Sequence, residues 1–253
     1  MKIISAGATN PGKKRDNNED SLLLDDELFL YAVADGVGGS EGGEVASRIT
    51  AETLAGEMKE LLASVNRTPP MGRSTDSNTE FAMLRSLVSL ANRNIRRARE
   101  KSASLADMAT TLTLLLLKQR TAYLAHVGDS RAYVLRSGEL SQLSNDHTFV
   151  AEQIRAGLLT PEQARTNPYR HVITRAVGIE EEVKTDVLRY DVQQDDRFLL
   201  CTDGLTEMVA DTDLGEILAA SEPEEAVRKL IAAANNAGGV DNITAIVVWI
   251  KEI

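Results

Sequence analysis

Five aspartates stand where apolar runs begin or end. Asp35 closes the run 28–34, Asp129 follows 121–127, and Asp203 follows 198–201. Asp241 precedes 243–250, and Asp20 precedes 21–24. If these ends meet at one edge of a pair of sheets, five carboxylates converge, and that much like charge cannot sit together unneutralised. Hard divalent cations with oxygen ligands, Mg²⁺ or Mn²⁺, are the natural counter-charge. Taken singly, an Asp–Gly at a strand end is a turn signal; only the set points to a site. Gly36, Gly38, Gly39, Gly42 and Gly43 frame Val37, Ser40 and Glu41, a stretch in which backbone can approach a ligand and then open a helix. It is neither a dinucleotide fingerprint, since Glu41 stands where the third glycine belongs, nor a phosphate-binding loop, since no Gly-Lys-Ser/Thr follows.

The elements that must position these residues are legible in outline. Residues 42–63 carry Val45, Ile49, Met58, Leu61 and Leu62 on one side of a helix. A second helix places Phe81, Leu84, Val88, Ala91, Ile95 and Ala98 at alternating steps of three and four. Its Arg93, Arg96, Arg97 and Glu100 fall on the opposite, solvated face. The stretch 66–78, with Pro69, Pro70 and Gly72, predicts a surface loop between the two. Runs 111–117 and 121–127 predict a hairpin, 132–135 and 198–201 short strands, and 243–250 an unbroken buried strand. A third helix, 224–236, carries Val227, Leu230, Ile231 and Ala234. The order does not alternate strictly between helix and strand, so a layered α+β domain is expected, sheet on sheet with helices outside.

Composition narrows the function classes. The net charge of −10 repels nucleic-acid phosphate and anionic lipid, so neither nucleic acid nor membrane is expected as a partner. A phosphorylated substrate would be repelled too, unless bound cations reverse the local sign. The single cysteine, Cys201, permits no internal disulfide, and no stretch of 18 apolar residues occurs. A cytoplasmic, monomeric protein is the expectation.

Seven blocks, in order and spanning nearly the whole chain, resemble those of the type 2C metal-dependent Ser/Thr protein phosphatases in their compact bacterial form. They are Arg15-Asp16-Asn17-Asn18-Glu19-Asp20, Ala34-Asp35-Gly36-Val37-Gly38-Gly39, Met108-Ala109-Thr110-Thr111 and His126-Val127-Gly128-Asp129-Ser130-Arg131, followed by Asp146-His147-Thr148, Cys201-Thr202-Asp203-Gly204-Leu205-Thr206 and Gly239-Val240-Asp241-Asn242-Ile243-Thr244. The resemblance implies a four-layer α-β-β-α sandwich, two central antiparallel sheets flanked by helix pairs, in a single domain 1–253 with a flap at about 147–180. It implies that Asp35 bridges two Mn²⁺ or Mg²⁺ ions, that Gly36 offers one of them its carbonyl, and that Asp203 and Asp241 complete the centre. Asp20 with Glu19 would hold metal-bound waters, and Asp129 with Asp203 a weaker third ion. Asn242 would support Asp241, and Arg15 would grip the substrate phosphate with its forked guanidinium. The implied reaction is hydrolysis of phosphoserine and phosphothreonine in proteins, targets of a bacterial Ser/Thr kinase. Water held between two ions ~4 Å apart attacks phosphorus in line, without a phosphoenzyme.

Rival phosphatase chemistries fail on spacing. Six positions after Cys201 stands Glu207, not the arginine a cysteine phosphatase needs, and no Asp-x-Asp-x-Thr/Val is present. Two departures from the family pattern stand out. Ser40 occupies a position where many bacterial relatives carry a histidine, so a general-acid role there is empty, and Ala109 replaces a glycine. A catalytically silent module that docks a phosphorylated partner is the alternative; the intact aspartates weigh against it. Of the histidines, His126 is expected in the core and His147 at a loop start. His171, Arg170, Thr174 and Arg175 are the candidates for contacts from the flap.

Overall fold

The computed structural model describes residues 1–38, 42–67 and 77–253. Gly39, Ser40, Glu41 and most of the loop expected at 66–78 therefore lie outside the described residues, as does the side chain of Leu62. The chain runs β1 (Lys2–Asn10), β2 (Asp20–Asp25), β3 (Leu30–Val37), α1 (Gly42–Arg67), α2 (Ser77–Arg99), β4 (Ala109–Thr110), β5 (Leu112–Lys118), β6 (Thr121–Val127), β7 (Arg131–Arg136), β8 (Glu139–Gln142), α3 (Phe149–Arg155), α4 (Pro161–Arg165), β9 (Asp186–Asp191), β10 (Arg197–Cys201), α5 (Asp203–Thr206), α6 (Asp211–Ala220), α7 (Pro223–Asn236) and β11 (Ile243–Glu252).

Two antiparallel sheets form the centre. One has the order β1-β11-β10-β7-β8; the other has β2-β3-β5-β6-β9, with β4 attached to β3. Their central strands are apolar on both faces, and alternation assigns each face to a different layer. On β11, Ile246, Val248 and Ile250 pack between the sheets, while Ala245 and Val247 face the helices. On β3, Tyr31 and Val33 point into the inter-sheet layer, while Leu30 and Ala32 join Leu54, Leu84, Val88 and Ile95 under α1 and α2. The opposite outer layer puts Leu214, Leu218, Val227 and Leu230 of α6 and α7 on Leu199, Cys201 and Tyr133. Three apolar layers separate four structural ones, the α-β-β-α arrangement anticipated from sequence. Among the described residues no helix is long and apolar enough to cross a membrane.

Some elements lacked a sequence signal. β1, with Ala6, Gly7 and Ala8, is too weakly apolar to read as a strand; pairing with β11 along its whole length fixes it. A Cβ at Gly7 would press on Ile246, so small residues let this edge strand lie close. The segment 147–180 carries α3, capped by Thr148, and α4, opened by a capping box between Thr160 and Gln163. The bridge Thr148–Ile173 closes the segment on itself, and Thr110–Val177 stitches it to the sheet end.

Candidate metal centre

Register brings the acids together. β2 and β3 pair with Asp20 opposite Asp35. β6 ends at Val127, one residue before the Gly128–Asp129 turn, and β10 ends at Cys201, just ahead of Asp203 at the start of α5. Asp241 lies in the turn that enters β11. Asp35, Gly36, Asp129, Asp203 and Asp241 line one cavity of about 750 Å³, with Arg15, Glu19, His171 and Glu207 on its walls. Asp20 is set behind it. It is 6% exposed, its Oδ2 accepts from the hydroxyls of Thr202 (2.9 Å) and Thr244 (2.6 Å), and its Oδ1 has no hydrogen-bond partner.

The electrostatics follow from this crowding. Burial raises Asp35 well above the ordinary carboxylate range, and Asp20, Asp203, Asp129 and Asp241 push it further. Burial, with Asp203 next, lifts Asp129 to about 8. Asp20 rises to about 7 through burial, against the pull of its two threonine hydroxyls, and Asp203 to about 6 through burial and the charges of Glu207 and Asp241. In each case burial is the largest cause, and neighbouring carboxylates add to it.

Local backbone explains why the acids hold their places. A Cβ on Gly36 would overlap the carbonyl oxygens of Gly43 and Glu19, so only glycine lets β3, α1 and the loop before β2 meet here. Gly128, at φ +110°, turns the chain from β6 to Asp129 where a side chain would strike Thr111. Asn242 ties the loops together: its Oδ1 accepts from Glu19 N (2.7 Å), its Nδ2 donates to the carbonyls of Pro11 (3.0 Å) and Asn17 (2.9 Å), and its own N–H donates to Asp241 Oδ1 (2.8 Å).

The other sequence candidates fall into two groups. Arg15 reaches the cavity and donates from Nη2 to Asp241 Oδ2 at 2.7 Å. His171 also lines it, with Nδ1 2.6 Å from Glu207 Oε1. Arg170 lines an adjoining cavity that shares Asp129, His171 and Asp203. Arg175 is committed elsewhere: it donates to Asp186 (2.9 Å) and lies 3.2 Å from His147 Nε2. Thr174 donates to Glu152 at 2.7 Å. His126 is a satisfied core residue, with Nδ1 on the Thr113 hydroxyl (2.9 Å) and Nε2 on the Asn145 carbonyl (3.1 Å), and burial pushes it down to about 4. His147 is buried and accepts from Gly128 N at 3.1 Å, so it orders the turn that presents Asp129. No local pattern points to Glu207, one helical turn beyond Asp203, or to Thr202 and Thr244 as the holders of Asp20.

The donor set fits a hard divalent cation. Its side chains are carboxylates, the Gly36 backbone lies among them, and the orphaned Asp20 Oδ1 stands behind. Among the described residues no group of three or more His, Cys, Asp or Glu side chains is placed to hold a metal ion as they stand; Mg²⁺ is commonly held through one or two carboxylates and keeps several waters.

Comparison with known proteins agrees with this geometry. A family model described as protein phosphatase 2C matches residues 12–239. The chain is 37% identical over 242 residues to the serine/threonine protein phosphatase PstP of Mycobacterium tuberculosis, covering 96% of this chain and 44% of that protein, and so spans less than half of that relative's length. It is 35% identical to the serine/threonine phosphatase stp of Listeria monocytogenes, over 95% of this chain and 93% of that one. The catalytic domain of PstP, crystallised with two manganese ions, superposes with a TM-score of 0.81 at 35% identity over 99% of both chains. Seven sequence blocks, a doubled antiparallel sheet and an acidic cavity at the strand ends thus meet in one conclusion: the chain belongs to the protein phosphatase 2C family.

Proposed function

We propose that the protein is a metal-dependent serine/threonine phosphoprotein phosphatase. One observation carries the reading: half-buried aspartates from distant strand ends converge, mutually repelling, on a cavity with a guanidinium in its wall. Asp35, Asp203, Asp241 and the Gly36 carbonyl would hold two Mn²⁺ or Mg²⁺ ions, with Asp20 and Glu19 holding water around them and Asp129 with Asp203 taking a weaker third. When bound, such ions offset the charge of the phosphoryl oxygens and lower the pKa of coordinated water towards neutrality.

The protein's own residues do the rest. Arg15 exchanges Asp241 for the substrate phosphate, which accepts two parallel N–H bonds from the fork. Asn242 keeps Glu19 and Asp241 in register. His171, braced by Glu207, contacts the phosphorylated residue from the flap side, and Arg170 borders the same opening. Arg175 anchors the flap through Asp186. Phosphoserine and phosphothreonine proteins, the products of a bacterial Ser/Thr kinase, are the substrates, and the cytoplasm is the site of action. Phosphate release from phosphoserine and phosphothreonine peptides is expected with Mn²⁺ or Mg²⁺ and not with EDTA; no turnover with either ion would overturn the proposal.

A further inference from the structure

Beside the acidic cavity lies a second one of about 420 Å³, and the two share Val37 and Ile173 as a common wall. We propose that this second cavity receives an apolar side chain flanking the phosphorylated residue, and so sets sequence preference; the idea rests on the phosphatase reading above. Val37 stands two residues past Asp35 and is 38% exposed, and Ile179, on the far side of the cavity, is 48% exposed. Val183 adds a third apolar wall.

One wall is tied to the sheet end. Val37 pairs with Ala109 where β3 meets β4, and the adjoining Thr110–Val177 bridge fixes the other side. Ala109 and Ala176 are buried and small, which leaves depth for a guest side chain. The charged groups lining the cavity are mixed, Asp107 and Glu180 against Arg175 and Lys184, so no single charge on the substrate is favoured. An extended phosphopeptide advances about 3.3 Å per residue and turns alternate side chains to opposite sides. With the phosphorylated residue in the acidic cavity, the side chain two residues along, which shares its face, passes over the shared wall into the second one.

The test compares phosphopeptides carrying leucine or alanine at each of the positions flanking the phosphorylated residue, with p-nitrophenyl phosphate as the substrate that has no flank. With Mn²⁺, wild type is expected to show kcat/KM about tenfold higher for leucine at one position, expressed mainly in KM. Ile179→Asp should reduce that preference to within about twofold, Ile179→Ala should reduce it partly, and both should turn over p-nitrophenyl phosphate at the wild-type rate. Normal p-nitrophenyl phosphate turnover with no leucine preference, or with a preference that survives Ile179→Asp, overturns the pocket alone. Failure of wild type to hydrolyse p-nitrophenyl phosphate overturns the phosphatase reading and the pocket with it.

Discussion

Two buried polar clusters flank the Gly128–Asp129 turn, and they are built in opposite ways. On one side His126 and His147 lie with ring centroids 4.8 Å apart, and all four ring nitrogens have partners: Thr113, Asn145, Gly128 and Asp186. On the other side Asp20, Asp35, Asp129 and Asp203 all have raised pKa values, and Asp20 Oδ1 has no partner. The first cluster is satisfied and stabilises the native state. The second crowds like charges together, and a bound cation would stabilise it. At Asp20 a break in the rule of satisfied buried polar groups lies against the candidate site.

The sharpest way to break the contrast is substitution on each side. Asp35→Asn should lower turnover of a phosphopeptide about a thousandfold, while circular dichroism stays native and the metal-free melting temperature holds or rises, because repulsion is removed. Arg15→Ala should cut kcat/KM roughly ten- to hundredfold, mostly through KM, with Arg15→Lys between it and wild type; an unchanged KM would remove Arg15 from the phosphate. In the satisfied cluster the effect should reverse in kind. Thr113→Val leaves His126 Nδ1 without its partner and should cost about 1–3 kcal/mol in denaturant unfolding at nearly normal kcat.

The mildest probe is pH. The acids hold protons in the folded, metal-free protein that the unfolded chain has released, since the values of about 6, 7 and 8 for Asp203, Asp20 and Asp129 all lie above the ordinary 3.8. Through these acids folding takes up protons, and their contribution to stability falls as pH rises from about 4 until it passes the folded values near 8, opposed below about 6.5 by His126 and His147, whose folded values are lowered. In EDTA the melting temperature should decline by several degrees between pH 5 and 8.5; Mn²⁺ should flatten that slope. A rise with pH in EDTA would contradict the electrostatics.

Much of this was legible beforehand because the central strands are buried on both faces. Unbroken apolar runs ending in Asp–Gly give β3 and β10 away, and the aspartates mark the ends that meet. β1 was hidden because Ala6, Gly7 and Ala8 carry little apolar signal, and β9 because its register is set by β6 and not by its own pattern. The site's supporting contacts were harder still. Nothing local says that Thr202 and Thr244, 42 residues apart, close on Asp20, that Asp20 sits behind the cavity and not on its wall, or that Glu207 steadies His171. Those pairings exist only once β10 and β11 lie side by side.

The central claim is that the strand-end aspartates hold divalent cations, and a crystal grown with Mn²⁺ tests it most directly. Anomalous difference maps should show two strong peaks contacted by oxygens of Asp35, Gly36, Asp203 and Asp241, with Arg15 released from Asp241. A well-ordered map with the carboxylates in place and no anomalous density among them would contradict it.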